Sequence, residues 1–388
     1  MLNGLALILF SMPILKKRYI MRFFSFVKIG FICVLFFLFA CSEHSSTVPT
    51  FSVDVQQRDS IEHFFSGYDY VMLETNENAL LGNVEKMKVD SSVIAVQDKG
   101  RILLFQHDGK FITKIDKLGR GAGEYLSVED FCVKDSLVYI LSRAQRRILV
   151  YDWKATFVDK IDLDDWYQHF EIVDDKLMFL SSENSNEKQY DFVVFNYAKS
   201  EDMNMFSPFE NNEGITFKNF TPFSGTFNGG YYVLRPFDYT VYRLSRTEFE
   251  PYCLFEFNTK EQIEQGAALV DLYDKTSNKN VVQYLGSYEE YNGSIYLTFT
   301  LFEEKHGIGT YVYKVESDGK NLLMKIYENF SDKYPYISAP YGVYDGAFYS
   351  IRPALDILNI EEMYGLSLFH DKGLTEESNH VVFFHKLK

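Results

Sequence analysis

Six short apolar runs, each opened by a turn or a small polar residue, punctuate the chain. They are Ser92-Val93-Ile94-Ala95-Val96, Ser136-Leu137-Val138-Tyr139-Ile140, Lys176-Leu177-Met178-Phe179-Leu180, Gly230-Tyr231-Tyr232-Val233-Leu234, Ser294-Ile295-Tyr296-Leu297 and Ala347-Phe348-Tyr349-Ser350. The steps between their first apolar positions are 44, 40, 54, 64 and 53 residues. Such spacing suits a four-stranded blade plus loops of variable length. A second run commonly follows, as in Arg101-Ile102-Leu103-Leu104-Phe105 and Arg147-Ile148-Leu149-Val150-Tyr151-Asp152. A third follows a turn: Asp108-Gly109-Lys110 leads into Phe111 to Ile115, and Asp318-Gly319-Lys320 into Asn321 to Ile326. Aspartate-glycine signals a hairpin because glycine accepts the positive φ of a tight turn. The pattern predicts an all-β protein, a six-bladed β-propeller of four-stranded antiparallel blades over residues 51–388.

Helical periodicity is confined to Thr259–Asp274, which falls in the longest step. Thr259 and Gln262 would form a capping box there, and Ile263, Ala267 and Val270 share a face. This one helix is expected as an insertion on the rim. Ser181 to Lys188 reads as a polar loop. Tyr70-Val71-Met72-Leu73 and Val381 to Leu387 are expected to meet in one blade, closing the ring without a free sheet edge.

Ahead of these strands, Ile29 to Leu38 is an apolar stretch preceded by Arg22 and Lys28 and followed by Ala40. These are the three parts of a secretory signal, and the stretch is short for a membrane span. Leu38-Phe39-Ala40-Cys41 is similar to a lipoprotein processing site, so residues 1–40 are expected to be removed, with translation starting at Met21. Cys41 then carries lipid, and 41–50 is a polar tether without periodicity. Loss of the five basic residues of the leader moves the formal charge from −15 to −20, which disfavours nucleic acid and anionic lipid as partners. Aromatic residues are 17% of the chain, which excludes a polar linker protein and implies a large core. Cys132 and Cys253 are expected as buried thiols rather than a disulfide.

Gly119-Arg120-Gly121-Ala122-Gly123-Glu124-Tyr125, ahead of Val128-Glu129-Asp130-Phe131, resembles the signature of the six-bladed β-propeller lipoproteins of Bacteroidetes. That group is similar in appearance to NHL-repeat propellers. Proline is usual there at the position of Ala122, and the resemblance covers Glu74 to about Asp162 well. It implies the fold and an outer-membrane, cell-envelope location facing either the periplasm or the surface, and brings no activity with it.

If each repeated run is the second strand of its blade, its exit loop and the loop crossing to the next blade emerge on one face. Arg120, Glu124 and Tyr125 lie in such a crossing, and Arg143, Arg235 and Arg352 at second-strand exits. Tyr232-Val233-Leu234-Arg235-Pro236 and Tyr349-Ser350-Ile351-Arg352-Pro353 share their tyrosine-to-arginine offset. Guanidinium forks on one rim of an acidic protein suggest recognition of a carboxylate or another planar acceptor. Asp238, Asp356 or Glu124 could instead tie these arginines between loops, and Tyr125, Phe237 and Tyr239 could stack on sugars or fill gaps between blades. The glycines of Gly119–Gly123 do not open a helix and lack a Lys-Ser or Lys-Thr step, so they suit a compact crossing rather than a phosphate cradle.

No HExxH motif, nucleophile elbow or histidine cluster with metal-ligand spacing is present, and neither metal nor cofactor is expected. The expectation is a noncatalytic envelope lipoprotein that binds a glycan fragment, peptide or protein over one propeller face and meets the membrane through its lipid. Two alternatives stand beside it. One is a propeller enzyme of lyase or glycoside-hydrolase type, for which His169, Glu124, Asp238 and Tyr239 are the residues to inspect. The other is a structural component of an envelope complex.

Overall fold

A strand whose successive side chains are all apolar needs cover on both faces, since neighbours along a strand point to opposite sides. All six repeated runs have that setting. The structure, a computed structural model, describes residues 48–181, 190–208, 220–263, 269–276, 279–304, 307–326 and 331–388. The leader, Cys41 and most of the Ser181–Lys188 loop lie outside the described residues. After β1 (Thr50–Val53) and β2 (Phe65–Met72), blade one is built from β3 (Val84–Val89), β4 (Ile94–Asp98), β5 (Arg101–Phe105) and β6 (Phe111–Ile115). Blade two contains β7 (Asp130–Lys134), β8 (Leu137–Ser142), β9 (Arg147–Asp152) and β10 (Phe157–Asp162). Blade three contains β11 (His169–Ile172), β12 (Leu177–Ser181), β13 (Tyr190–Asn196) and β14 (Glu201–Pro208). Blade four contains β15 (Phe223–Phe227), β16 (Gly230–Val233), β17 (Thr240–Leu244) and β18 (Phe249–Phe257). Blade five contains β19 (Val282–Tyr291), β20 (Ser294–Glu303), β21 (Gly307–Val315) and β22 (Asn321–Lys325). Blade six takes β23 (Gly342–Tyr344), β24 (Ala347–Arg352) and β25 (Val381–Leu387), with β2 as its outermost strand.

The six runs are the second strands, and their alternation feeds two seams at once. Val138 and Ile140 of β8 pack with Ile102 and Leu104 of blade one. Tyr139 and Leu141 of the same strand pack with Phe170 and Met178 of blade three. At roughly 1.5–3 kcal/mol for each fully buried large apolar side chain, these seams hold the blades together. The ring closes as the sequence suggests: β2 pairs antiparallel with β25, from Phe65 opposite Leu387 to Met72 opposite Val381. Cys132 and Cys253 are free and buried.

Three features depart from expectation. β1 adds a fifth strand to blade four, parallel to β18, with Thr50 opposite Leu254 and Val53 opposite Phe257. The chain then runs along the outer edge of blade five, where Asp59 N–H donates to Leu323 O at 2.7 Å and Leu323 N–H to Asp59 Oδ2 at 2.9 Å, before entering blade six. The inserted helix between blades four and five is described as α1 (Leu269–Thr276), and Thr259–Ile263 is not helical. Thr259 Oγ1 donates to Glu261 O, and Gln262 Nε2 donates to the carbonyls of Phe257 and Thr259, so neither makes the backbone N–H contacts of a capping box. A second helix, α2 (Ala354–Tyr364), follows β24. Its apolar periodicity is blurred because one of its three buried positions is Glu361, whose carboxylate accepts from Tyr336 Oη and from the N–H groups of Phe369 and His370.

Candidate functional site

Because strands alternate direction, second-to-third-strand loops and blade-to-blade crossings share one face, here called the front; the remaining hairpins form the back. The Gly119–Tyr125 crossing from blade one to blade two folds on itself. Glu124 Oε2 accepts from Gly121 N–H at 2.7 Å, and a Cβ on Gly119 would lie 2.0 Å from that same carboxylate oxygen. The Tyr125 ring is fully buried and its hydroxyl donates to Ile115 O at 3.1 Å. Burial pushes its pKa up to about 12. The crossing is fastened to the exit loop of β8: Gln145 Nε2 donates to Glu124 O at 3.2 Å, and Leu126 N–H to Ser142 Oγ at 3.3 Å.

The arginines fall into two groups. Arg235 is taken up within the protein, with Nη2 at 2.6 Å from buried Asp191 and Nη1 at 3.7 Å from Asp238. Asp238 also accepts from Tyr242 Oη at 2.7 Å. Buried Tyr239 donates to Val282 O at 2.8 Å, tying blade four to blade five, and buried Phe237 donates its N–H to Gln283 O. Arg352 directs Nε to Tyr336 O at 2.8 Å and Nη2 to Ile337 O. Arg120 is exposed and Arg143 half-buried, and neither meets a carboxylate among the described residues. Arg143 Nε is buried without a hydrogen-bond acceptor. Three residues beyond Arg143 in the chain, Arg146 lies 5.0 Å from the centre of the half-buried Trp166 ring, on the crossing from blade two to blade three. Sequence reasoning missed Arg146 and Trp166, although a tryptophan in a crossing loop of a chain with two tryptophans was a visible signal.

The inner strands supply a second set of polar groups. Lys86 and Lys88 of β3, Asp130 and Cys132 of β7, and His169 and Glu171 of β11 are each two residues apart, so each pair shares one side of its strand. Nearer the front, Asp130 accepts from Lys86 Nζ and from the N–H groups of Phe131 at 2.7 Å and Phe170 at 3.2 Å, with His169 Nδ1 at 3.6 Å. One layer deeper, Lys88 Nζ reaches over blade two to Glu171, whose other oxygen is 3.6 Å from Cys132 Sγ. Burial works against the Asp130 carboxylate, but Lys86 and His169 hold its pKa well below the usual range. Burial likewise opposes the Lys88 ammonium, and Glu171 outweighs it, raising the pKa well above the ordinary value. The Cys132 thiol is pushed up to about 12 by burial, with Glu171 adding to the effect, so it is not a thiolate nucleophile at neutral pH. Toward the back, burial and Glu290 push Glu289 up to about 7.

The four residues marked for an enzyme reading fall at three separate places: Glu124 in a crossing, Asp238 and Tyr239 in the exit loop of β16, and His169 in β11. Glu124 closes its own crossing, Asp238 and Tyr239 bind within and beside blade four, and His169 joins the inner ladder. Among the described residues no three His, Cys, Asp or Glu side chains converge as a metal site would require.

The same fold occurs in solved structures. A Bacteroides fragilis protein described as exported aligns with a TM-score of 0.69 at 18% identity, over 88% of this chain and 100% of that one. A member of the DUF4221 family from Bacteroides vulgatus aligns with a TM-score of 0.54 at 10% identity, over 84% and 98%. No curated protein matches. A family model described as a domain of unknown function, DUF4934, matches residues 47–386, the whole described propeller, and the chain belongs to that family.

Proposed function

We propose that the chain is an envelope binding protein, exported and tethered through Cys41, that takes a carboxylate-bearing glycan fragment or peptide on the front of blade two. The observation that carries this reading is the pair Arg120 and Arg143, cations without a carboxylate partner among the described residues, on two loops fastened to each other. In a domain of formal charge −20 after processing, such cations have a reason to stay unpaired if an incoming anion completes them. Glu124, Tyr125, Arg235, Asp238, Tyr239 and Arg352 act as positioning residues that fix the surrounding loops. Trp166, whose ring lies 5.0 Å from Arg146, adds an aromatic surface on the neighbouring crossing. The exported description of the Bacteroides fragilis relative supports an extracytoplasmic setting.

Calorimetric titration of acidic oligosaccharides and peptides tests this, comparing wild type with Arg143→Ala and Arg120→Ala. A charge-assisted contact contributes about 1.5–3 kcal/mol, so each variant should weaken binding by roughly 10- to 100-fold. Unchanged affinity in both variants removes the blade-two front from the site. A second reading, docking to an envelope protein, is favoured by exposed Leu355, Met363, Tyr364 and Leu368 on and after α2. Copurification that depends on Met363 would support it.

A further inference from the structure

A cavity of about 390 Å³ opens on the back of the propeller between blades five and six, a volume within the range of small-molecule sites. The β19–β20 hairpin lines it through Asn292 and Ser294, and the β21–β22 hairpin through Glu316 and Ser317. His63, ahead of β2, closes it from the side of blade six. The buried charge in the lining is Lys314, 2% exposed, whose Nζ donates to His63 O at 3.2 Å and to Glu316 Oε1 at 2.9 Å. A lysine has three N–H donors, so one is left over, and Glu316 Oε2 has no protein donor among the described residues. Beside this pair Ser294 is 7% exposed, and its hydroxyl has no hydrogen-bond partner among the described residues. At the mouth the exposed side chains of Asn292 and Ser317 are likewise unengaged. The remaining charges, Asp318 and Lys388, stand on the exposed rim, where water and salt screen them. An anion in the cavity would face Glu316 and a cation Lys314, and either would upset a pair that is already balanced. A hydroxyl does neither, because it can donate to Glu316 and accept from Lys314 or Ser294 at once.

We propose that this cavity is a second ligand site, one that takes a neutral polyhydroxyl compound about the size of a monosaccharide. It does not depend on the blade-two reading, since the two sites lie on opposite faces and differ in charge. Arg120 and Arg143 meet no carboxylate among the described residues and suit an anion. Lys314 already has its counter-ion in Glu316 and suits a ligand without charge.

Saturation-transfer NMR and calorimetric titration of the full chain test the assignment. The neutral probes are glucose, galactose, mannose and N-acetylglucosamine, and the charged controls are glycine and galacturonate. At least one neutral sugar is expected to bind in the millimolar range. Ser294→Ala removes one neutral hydrogen bond and should weaken that binding roughly 2- to 10-fold. Ser317→Trp sets a bulky ring at the exposed mouth and should abolish it at an unchanged urea midpoint. If the tryptophan variant does not fold, Ser294→Ala decides alone. The proposal is overturned if none of the four sugars binds, or if binding is indifferent to both substitutions. It is equally overturned if glycine or galacturonate binds more tightly than the sugars and Ser317→Trp abolishes that binding. Failure of acidic oligosaccharides and peptides to bind, with a neutral sugar still bound and blocked by Ser317→Trp, removes the blade-two reading and supports this one.

Discussion

Two turns of identical sequence offer a controlled comparison. Asp108-Gly109-Lys110 and Asp318-Gly319-Lys320 close the outer hairpins of blades one and five with the same bonds. Gly109 N–H donates to Gln106 O at 2.9 Å and Gly319 N–H to Glu316 O at 2.8 Å. Each aspartate accepts from the N–H two residues on, at 3.0 and 2.9 Å. Both glycines are left-handed, with φ of +87° and +86°. Alanine at either position meets the steric penalty of that region, roughly 1–2 kcal/mol. The surroundings then diverge. A Cβ on Gly319 meets nothing within 4 Å, whereas one on Gly109 would sit 2.1 Å from Met72 O, at the end of the closing strand β2. That carbonyl would have to retreat by about an ångström, disturbing the 2.8 Å bond from Glu74 N–H to Gly109 O that joins blade six to blade one. A lost backbone hydrogen bond of about 1 kcal/mol plus local strain of similar size puts Gly109→Ala about 2 kcal/mol below Gly319→Ala. That difference is roughly a 30-fold change in the unfolding equilibrium. Urea unfolding followed by the fluorescence of Trp153 and Trp166 reads it as a lower midpoint at equal slope. Equal midpoints for the two variants would refute the reasoning.

Other outcomes follow from the charged groups. Asp130→Ala strips a buried cluster of its anion and should cost about 3 kcal/mol at pH 7 by urea unfolding. Because the folded pKa of Asp130 lies below its unfolded value, its contribution is complete above roughly pH 4 and is lost as pH falls further, so wild type and variant should converge in acid. Glu289 has the opposite sign. Its folded pKa of about 7 exceeds the unfolded value, so ionisation costs stability progressively above roughly pH 4 and fully above 7. Glu289→Gln should therefore raise Tm at pH 8 and leave it unchanged at pH 4, by calorimetry. Arg235→Ala removes the cation held against buried Asp191 and should lower stability by about 2 kcal/mol, read by urea unfolding at pH 7.

What the sequence revealed and what it hid have one cause, the range over which each signal acts. Second strands such as β8 announce themselves because both their faces are packed, so four or five consecutive residues must be apolar. The paired Asp-Gly turns are legible because φ is a property of a single residue. β1 is not, since four residues ending in a buried Val53 find their partner about two hundred positions away and carry no local pattern. The inner ladder is hidden for a related reason. Lys86, Asp130, His169 and Glu171 each look like a polar position on a half-exposed strand, and only the closure of the ring turns them toward one another. The matching arginines illustrate the limit of motif reasoning. Arg235 and Arg352 share a sequence setting, yet one binds carboxylates and the other backbone carbonyls. Arg120 and Arg143, which meet no carboxylate among the described residues, belong to no repeated motif.

The parallel alignment of β1 with β18 has a mechanical consequence. A pull on the chain ahead of Thr50 acts along the axis of the pairing that runs from Thr50–Leu254 to Val53–Phe257, so its hydrogen bonds are loaded together in shear instead of one after another. Behind them stands the Asp59–Leu323 pair on blade five, and only after both have yielded does tension reach β2 and the closure of the ring. The first fifteen or so described residues thus form a strain relief that keeps tension arriving ahead of Thr50 from unzipping the blade that seals the propeller.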